Sequence, residues 1–367
     1  MSRIAVLGSG AWGTAIALSL SRRGGHHVTL WSHSADEVRQ IDSARENTLF
    51  LPGFPLPADI AVTSSEAAIA EAEIVVSVIP SEFLRPTIAR LRPYLRADQI
   101  VVSATKGIEN RSFLRMTQVI AATLGEQDEP TSTRAANTDT DSDVFEEAGA
   151  PQVSSAGIQA APHFEGNAPT AIGALSGPSF ATEVAQGQPT AITIAFRDPA
   201  IAARIQSEFS SETLRLYTTT DITGVELGGA LKNVIAIAAG VASGVGLGYN
   251  SAAALMTRGI AEITRLAVAC GGRRETLAGL AGTGDLVLTC TGSLSRNRTV
   301  GQALGQGRQL PEILASLGGK VAEGVLTTRA ALGLARQHNI EMPIAEQMLL
   351  MLDNGKVPRE GIKELML

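Results

Sequence analysis

A chain of 367 residues, 44% apolar and 18% charged, is long enough for two ordinary domains with large cores, and its composition excludes a disordered or collagen-like chain. The net charge of −6 is local: residues 126–149 hold eight acids and one base, −7, leaving +1 for the rest, which excludes the basic stripe that nucleic-acid binding needs. Cys270 and Cys290 form neither a disulfide framework nor a zinc-ligand spacing, so no metal is expected, and reduced thiols suit a cytoplasmic setting.

The chain opens on an apolar strand pattern at residues 4–7, with nothing resembling a signal peptide before it. Further strands are predicted over 28–31, 60–63, 74–79 and 100–104, with helices over 11–23, 35–45 and 82–91. This alternation predicts a parallel sheet with helices on both faces, and the nearly all-apolar run 74–79 suits a strand covered on both sides. Residues 126–168 break the pattern with Ser, Thr, Pro and acids and no apolar period. They are expected to form a disordered surface insertion, and deleting 128–166 should leave activity nearly intact.

Strand signals resume over 171–175, 191–196 and 214–217. After Asp221 the pattern is helical to the end. The expected organisation is an α/β part over 1–220 and an all-α part over 221–367. The longest apolar run, 234–248, is interrupted by glycines and falls short of the roughly 20 residues of a membrane span, so a buried helix and no membrane span are expected.

Gly8-Ser9-Gly10-Ala11-Trp12-Gly13 is a G-x-G-x-x-G directly after the first strand, at the start of the first helix. Gly8 permits the tight turn, Gly10 lets backbone approach a pyrophosphate, and Gly13 lets helix and strand pack closely. In this context the motif predicts a Rossmann-type doubly wound sheet that binds NAD(P). The second strand ends Leu30-Trp31-Ser32-His33-Ser34, without the acid that usually binds a ribose 2′-hydroxyl. Ser32 and His33 could instead hydrogen-bond a 2′-phosphate, so NADPH is expected to support turnover at least as well as NADH.

Reduction of a ketone needs a proton donor at the forming alkoxide, and a phosphorylated substrate needs cations. Lys106 stands at the C-terminal end of a predicted parallel strand, where ligands of open α/β sheets bind. Lys232 sits on a predicted apolar helix that Asp221 could cap. Gly228 and Gly229, on the same helix face as Lys232, carry no side chains. They either open a path to the ammonium or permit close helix packing.

Together with Ala104-Thr105-Lys106-Gly107, Leu175-Ser176-Gly177-Pro178-Ser179-Phe180-Ala181 and Gly228-Gly229-Ala230-Leu231-Lys232-Asn233, these motifs resemble the bacterial NAD(P)-dependent glycerol-3-phosphate dehydrogenases. Further matching segments are Ala281-Gly282-Thr283-Gly284-Asp285-Leu286, Cys290-Thr291, Ser295-Arg296-Asn297-Arg298 and Val321-Ala322-Glu323-Gly324. The resemblance runs through the chain in order, residues 126–168 excepted, and Thr283 replaces a more usual apolar residue. It implies interconversion of glycerol 3-phosphate and dihydroxyacetone phosphate, serving phospholipid synthesis, with Lys232 as the proton-transferring group.

By the same resemblance, Lys106, Gly177, Ser179, Lys232, Asn233, Asp285, Ser295, Arg296 and Asn297 match substrate positions. Gly8, Gly10, Ala11, Trp12, Gly13, His33, Lys106, Ala181, Arg296, Val321 and Glu323 match cofactor positions. A homodimer is compatible with it. Two other functions share parts of this pattern. One is a related two-domain dehydrogenase acting on another hydroxy acid or a nucleotide sugar; a carboxylate substrate would not need the Ser-Arg-Asn phosphate site. A non-catalytic NAD(P) sensor would have no use for Lys106, Lys232 and Asp285 together.

Overall fold

The computed structural model describes residues 1–125, 171–317 and 321–366, and the acidic stretch expected as an insertion lies outside them. The first part runs β1 Ser2–Leu7, α1 Ala11–Arg23, β2 His26–Trp31, α2 Ala35–Ala44, β3 Ile60–Thr63, α3 Ala67–Ala70, β4 Ile74–Ser77, α4 Ser81–Leu91, β5 Ile100–Ser103 and α5 Met116–Leu124. It continues with β6 Ala171–Ser176, α6 Ala181–Ala185, β7 Thr190–Ala195, α7 Pro199–Phe209 and β8 Leu214–Thr219. Then come α8 Ile222–Gly244, α9 Tyr249–Ala269, α10 Arg274–Ala278, a π-helical turn Leu280–Gly284, α11 Asp285–Thr291, α12 Arg296–Gly305, α13 Leu310–Ser316, α14 Glu323–Gln337, α15 Pro343–Asn354 and α16 Pro358–Leu365.

The eight strands form one sheet in the order β3-β2-β1-β4-β5-β6-β7-β8. Every neighbouring pair is parallel except β6 with β7. The chain reverses its direction of winding between β1 and β4, the switch point at which such sheets leave a crevice beyond the strand ends. Buried β4, all of whose residues are covered, reads Ile-Val-Val-Ser, as a strand between two helical layers should. Strand β4 stops at Ser77, two residues short of the run read from the sequence.

Among the described residues no strand follows β8. Helix α8 is long and apolar enough to cross a membrane by length and composition, yet that apolar stretch is wholly buried by its neighbours, so it is a core helix. Asp221 caps it, one carboxylate oxygen accepting from Gly224 N at 2.8 Å and the other from Arg273 N at 2.8 Å. Buried Glu226 of α8 accepts from Thr117 N and Thr117 Oγ1, both at 2.7 Å, and pairs with Arg115, which fixes the first turn of α5 to the helical part.

The crossing of α8 with α12 is unusually close. A Cβ on Gly240 would lie 2.1 Å from Arg298 O, one on Gly244 2.2 Å from Gln302 O, one on Gly301 1.9 Å from Ile237 O and one on Gly305 2.4 Å from Val241 O. Each helix thus presents two glycines four residues apart to the other's backbone, and the same pair of helices sets Asn297 beside Asn233. Gly301→Ala tests this. Alanine favours an isolated helix by about 1 kcal/mol, but overpacking against backbone costs about 1–3 kcal/mol. A lower urea midpoint with an unchanged slope is expected; a midpoint at or above that of the parent would show that the helices separate freely.

Candidate active site

The fingerprint turn lies at the switch point. Gly8 has φ +117°, and a Cβ on it would sit 2.9 Å from Val78 O, so β1 and the end of β4 meet there without side-chain room. A Cβ on Gly13 would fall 1.9 Å from Gly8 O. On Gly10 a Cβ would meet nothing within 4 Å, leaving open space over the start of α1. Helix α1 begins at Ala11 with Gly10 as its N-cap and no side-chain cap, so its first backbone N–H groups, those of Ala11 and Trp12 included, have no capping side chain. A glycine-lined opening over an uncapped helix N-terminus fits a pyrophosphate.

Beyond the ends of β5 and β6 lies a charged cluster. Asp285, fully buried at the start of α11, places Oδ1 against Lys232 Nζ and Oδ2 at 2.8 Å from Lys106 Nζ. Lys232 also donates to Thr289 Oγ1 at 2.7 Å, and that hydroxyl donates to Asp285 O at 2.6 Å. Burial pushes the Lys232 ammonium down to about 7. The charge of Asp285 opposes this shift and the charge of Lys106 adds to it. The cluster therefore holds an amine that can gain or lose a proton near neutral pH, fixed by one carboxylate and one hydroxyl.

The glycines before Lys232 serve packing. A Cβ on Gly228 would lie 2.5 Å from Ala281 O, and one on Gly229 2.3 Å from Ser176 Oγ. The room a side chain would need at either position is taken by these atoms, and the glycines let α8 approach the π-helical turn and the end of β6. In that turn Thr283 Oγ1 donates to Leu277 O at 3.0 Å, so the hydroxyl that departs from the resemblance has a local partner.

Ser295 caps α12, accepting from Arg298 N at 3.2 Å, and Arg296 is exposed in the first turn. Asn297 donates to Asn233 Oδ1 and accepts from Gly324 N, both at 3.0 Å, which leaves one of its amide hydrogens for a ligand. Gly177, with φ +146° against Ile192, turns the chain out of β6. Ser179 Oγ donates to Gly177 O at 3.0 Å, and Ala181 opens α6. Glu323, beside the partly buried Val321, accepts from Ser81 Oγ at 2.7 Å across Gly107, joining the starts of α14 and α4. Burial pushes its carboxyl up. His33 is exposed just past β2.

Three residues escaped the sequence reading. Thr289 stands one helical turn after Asp285, a spacing that could have revealed it. Ser81 carries no motif of its own. Glu37 lies in the first turn of α2 and folds back: its Oε2 accepts from both Ser9 Oγ and Ser32 Oγ at 2.8 Å. The end of β2 therefore has an acid beside it in space, though none in sequence.

Sheet order, fingerprint and strand-end cluster define a class, the Rossmann-type dinucleotide-binding chains with a helical second domain. Comparison with known proteins narrows this. The pattern of the NAD-dependent glycerol-3-phosphate dehydrogenase N-terminus matches residues 3–132 and 158–202, and that of the C-terminus matches residues 221–363. The chain belongs to this family.

A protein of Acidobacterium capsulatum named glycerol-3-phosphate dehydrogenase [NAD(P)+] is 54% identical over 370 aligned residues, covering 100% of this chain and 98% of the other. One so named from Geobacter sulfurreducens is 44% identical, covering 99% and 96%. The crystal structure of glycerol-3-phosphate dehydrogenase (gpsA) from Coxiella burnetii superimposes with TM-score 0.84 at 34% identity, covering 100% of this chain and 98% of that one. A PanE/ApbA family ketopantoate reductase from Ralstonia eutropha reaches TM-score 0.56 at 14% identity, covering 98% and 99%, a likeness of fold alone.

Proposed function

We infer that this chain interconverts dihydroxyacetone phosphate and glycerol 3-phosphate with NAD(P)(H), and so supplies glycerol 3-phosphate for phospholipid synthesis. The observation that carries the reading is the buried Asp285 carboxylate shared by Lys106 and Lys232 at the sheet's C-terminal edge. The opening over Gly10 and the N-terminus of α1 would hold the dinucleotide pyrophosphate, with residues 1–220 as the cofactor-binding part and 221–367 as the catalytic part. Bound NAD(P)H supplies the hydride that reduces the ketone carbon.

The protein's own groups do the rest. Lys232 gives its proton to the carbonyl oxygen as negative charge develops there, and takes it back in the oxidation direction. Asp285 and Thr289 hold the amine in place. Lys106 adds positive charge beside the forming alkoxide. Arg296, with the free amide hydrogen of Asn297 and the Ser295 hydroxyl, offers donors for the phosphate. The buried α8 and the two free cysteines, Cys270 and Cys290, are compatible with a cytoplasmic protein. A homodimer remains an expectation drawn from the resemblance alone.

The test follows NADH or NADPH absorbance with the purified protein. Consumption that depends on dihydroxyacetone phosphate and fails with 2-keto acids supports the assignment. Faster consumption with a 2-keto acid would transfer it to the hydroxy-acid dehydrogenases.

A further inference from the structure

We propose that Glu37 selects against the 2′-phosphate of NADPH and makes NADH the better-bound cofactor. The inference rests on the cofactor reading above and reverses the expectation drawn from the end of β2 alone. Glu37 is the third residue of α2, three after the capping Ser34. In a Ser-x-x-Glu start the glutamate ordinarily reaches back to the cap's own N–H. Here that N–H goes to Ser32 Oγ at 3.3 Å, while Ser34 Oγ accepts from Glu37 N at 3.2 Å. The Glu37 carboxylate is thereby released to turn inward.

It turns toward two hydroxyls that belong to the dinucleotide site. Ser9 lies inside the fingerprint, between Gly8 and Gly10, and Ser32 is the first residue after β2. Both are buried, both donate to Glu37 Oε2 at 2.8 Å, and so both protons are committed. Glu37 Oε1 accepts no hydrogen bond among the described residues, and the side chain is only half-buried.

The space between fingerprint and second strand end is where this fold receives the adenosine ribose. A carboxylate oxygen with an open lone pair suits the donors of a ribose diol. A 2′-phosphate brings roughly two negative charges and needs donors, but finds a carboxylate there and hydroxyls already used. His33, exposed one residue past Ser32, keeps a ring N–H, a single donor set against the charge of the carboxylate, and the neighbouring cation Arg39 is paired with Asp36 on the exposed face of α2. The sequence concealed the acid because it comes from the next helix, five residues beyond Ser32.

Binding of NADH and of NADPH to the whole protein, followed by cofactor fluorescence without substrate, tests the proposal. In the parent protein NADH should bind at least about tenfold more tightly at low salt, with a gap that narrows as salt screens the repulsion. Glu37→Gln keeps the size and removes the charge. It should tighten NADPH, loosen NADH, and shrink the ratio of the two constants about tenfold.

Equal or tighter NADPH binding by the parent protein overturns the proposal, as does an unchanged ratio in the variant. Should Glu37→Gln not fold, competition against NADH on the parent protein decides. 5′-AMP should displace NADH better than 2′,5′-ADP, and the opposite order or equality overturns the proposal. Because no substrate is present, the two readings fail separately. NADH preference without turnover of dihydroxyacetone phosphate upholds Glu37 and overturns the substrate. Turnover with equal affinities does the reverse.

Discussion

Lys232→Met should lower kcat for dihydroxyacetone phosphate reduction by about 10²–10⁴-fold, the usual loss when a general acid is removed. Methionine keeps the length of the stem and fills the same buried space. The protein should still fold, because Asp285 keeps Lys106 as a counter-ion and Thr289 beside it. With Lys232 charged the cluster carries one excess positive charge; without it the cluster is neutral. NADH affinity, followed by fluorescence, should stay within a few fold. Near-parent kcat would remove Lys232 from the proton transfer, and joint loss of folding and cofactor binding would make it a structural lysine.

Asp285→Asn should have the larger effect on stability. The substitution keeps the shape but leaves two lysines facing a neutral amide, with Asp285 fully buried and Lys232 nearly so. Removing one partner of a buried ion pair costs about 3–5 kcal/mol. Lys232 would also lose the charge that holds its proton, so its pKa would fall below about 7 and the reduction rate with it. Urea denaturation measures the first effect. The double variant Lys232→Met with Asp285→Asn should be more stable than Asp285→Asn alone, since it relieves the unpaired ammonium. Parent-like stability of Asp285→Asn would mean that the cluster contributes little to the fold.

Much of this was legible in the sequence, for a local reason. The eight strands and the first helices follow from apolar periods and from glycines at fixed offsets, which act within a few residues. Lys106, Lys232 and Asp285 were marked by the resemblance, and the structure brings the three together around one carboxylate. What was not legible depends on how separate segments meet. Gly228 and Gly229 could mean access or packing, and only the positions of Ala281 and Ser176 decide for packing. The glycine pairs of α8 and α12 lie about 60 residues apart, and neither announces its partner. Glu37 reads as an ordinary first-turn glutamate until α2 folds it over Ser9 and Ser32.

In the proposed reaction one lysine, held near neutrality, carries the proton in both directions. The pH dependence of kcat/KM for the two directions tests it most directly, because that ratio reports the groups of the free enzyme. Reduction of dihydroxyacetone phosphate needs Lys232 protonated, so its kcat/KM should fall as pH rises through about 7. Oxidation of glycerol 3-phosphate needs the neutral amine, so its kcat/KM should rise through the same pH. Both limbs should vanish in Lys232→Met. Profiles that are flat across neutral pH, or that move the same way in both directions, would contradict the account.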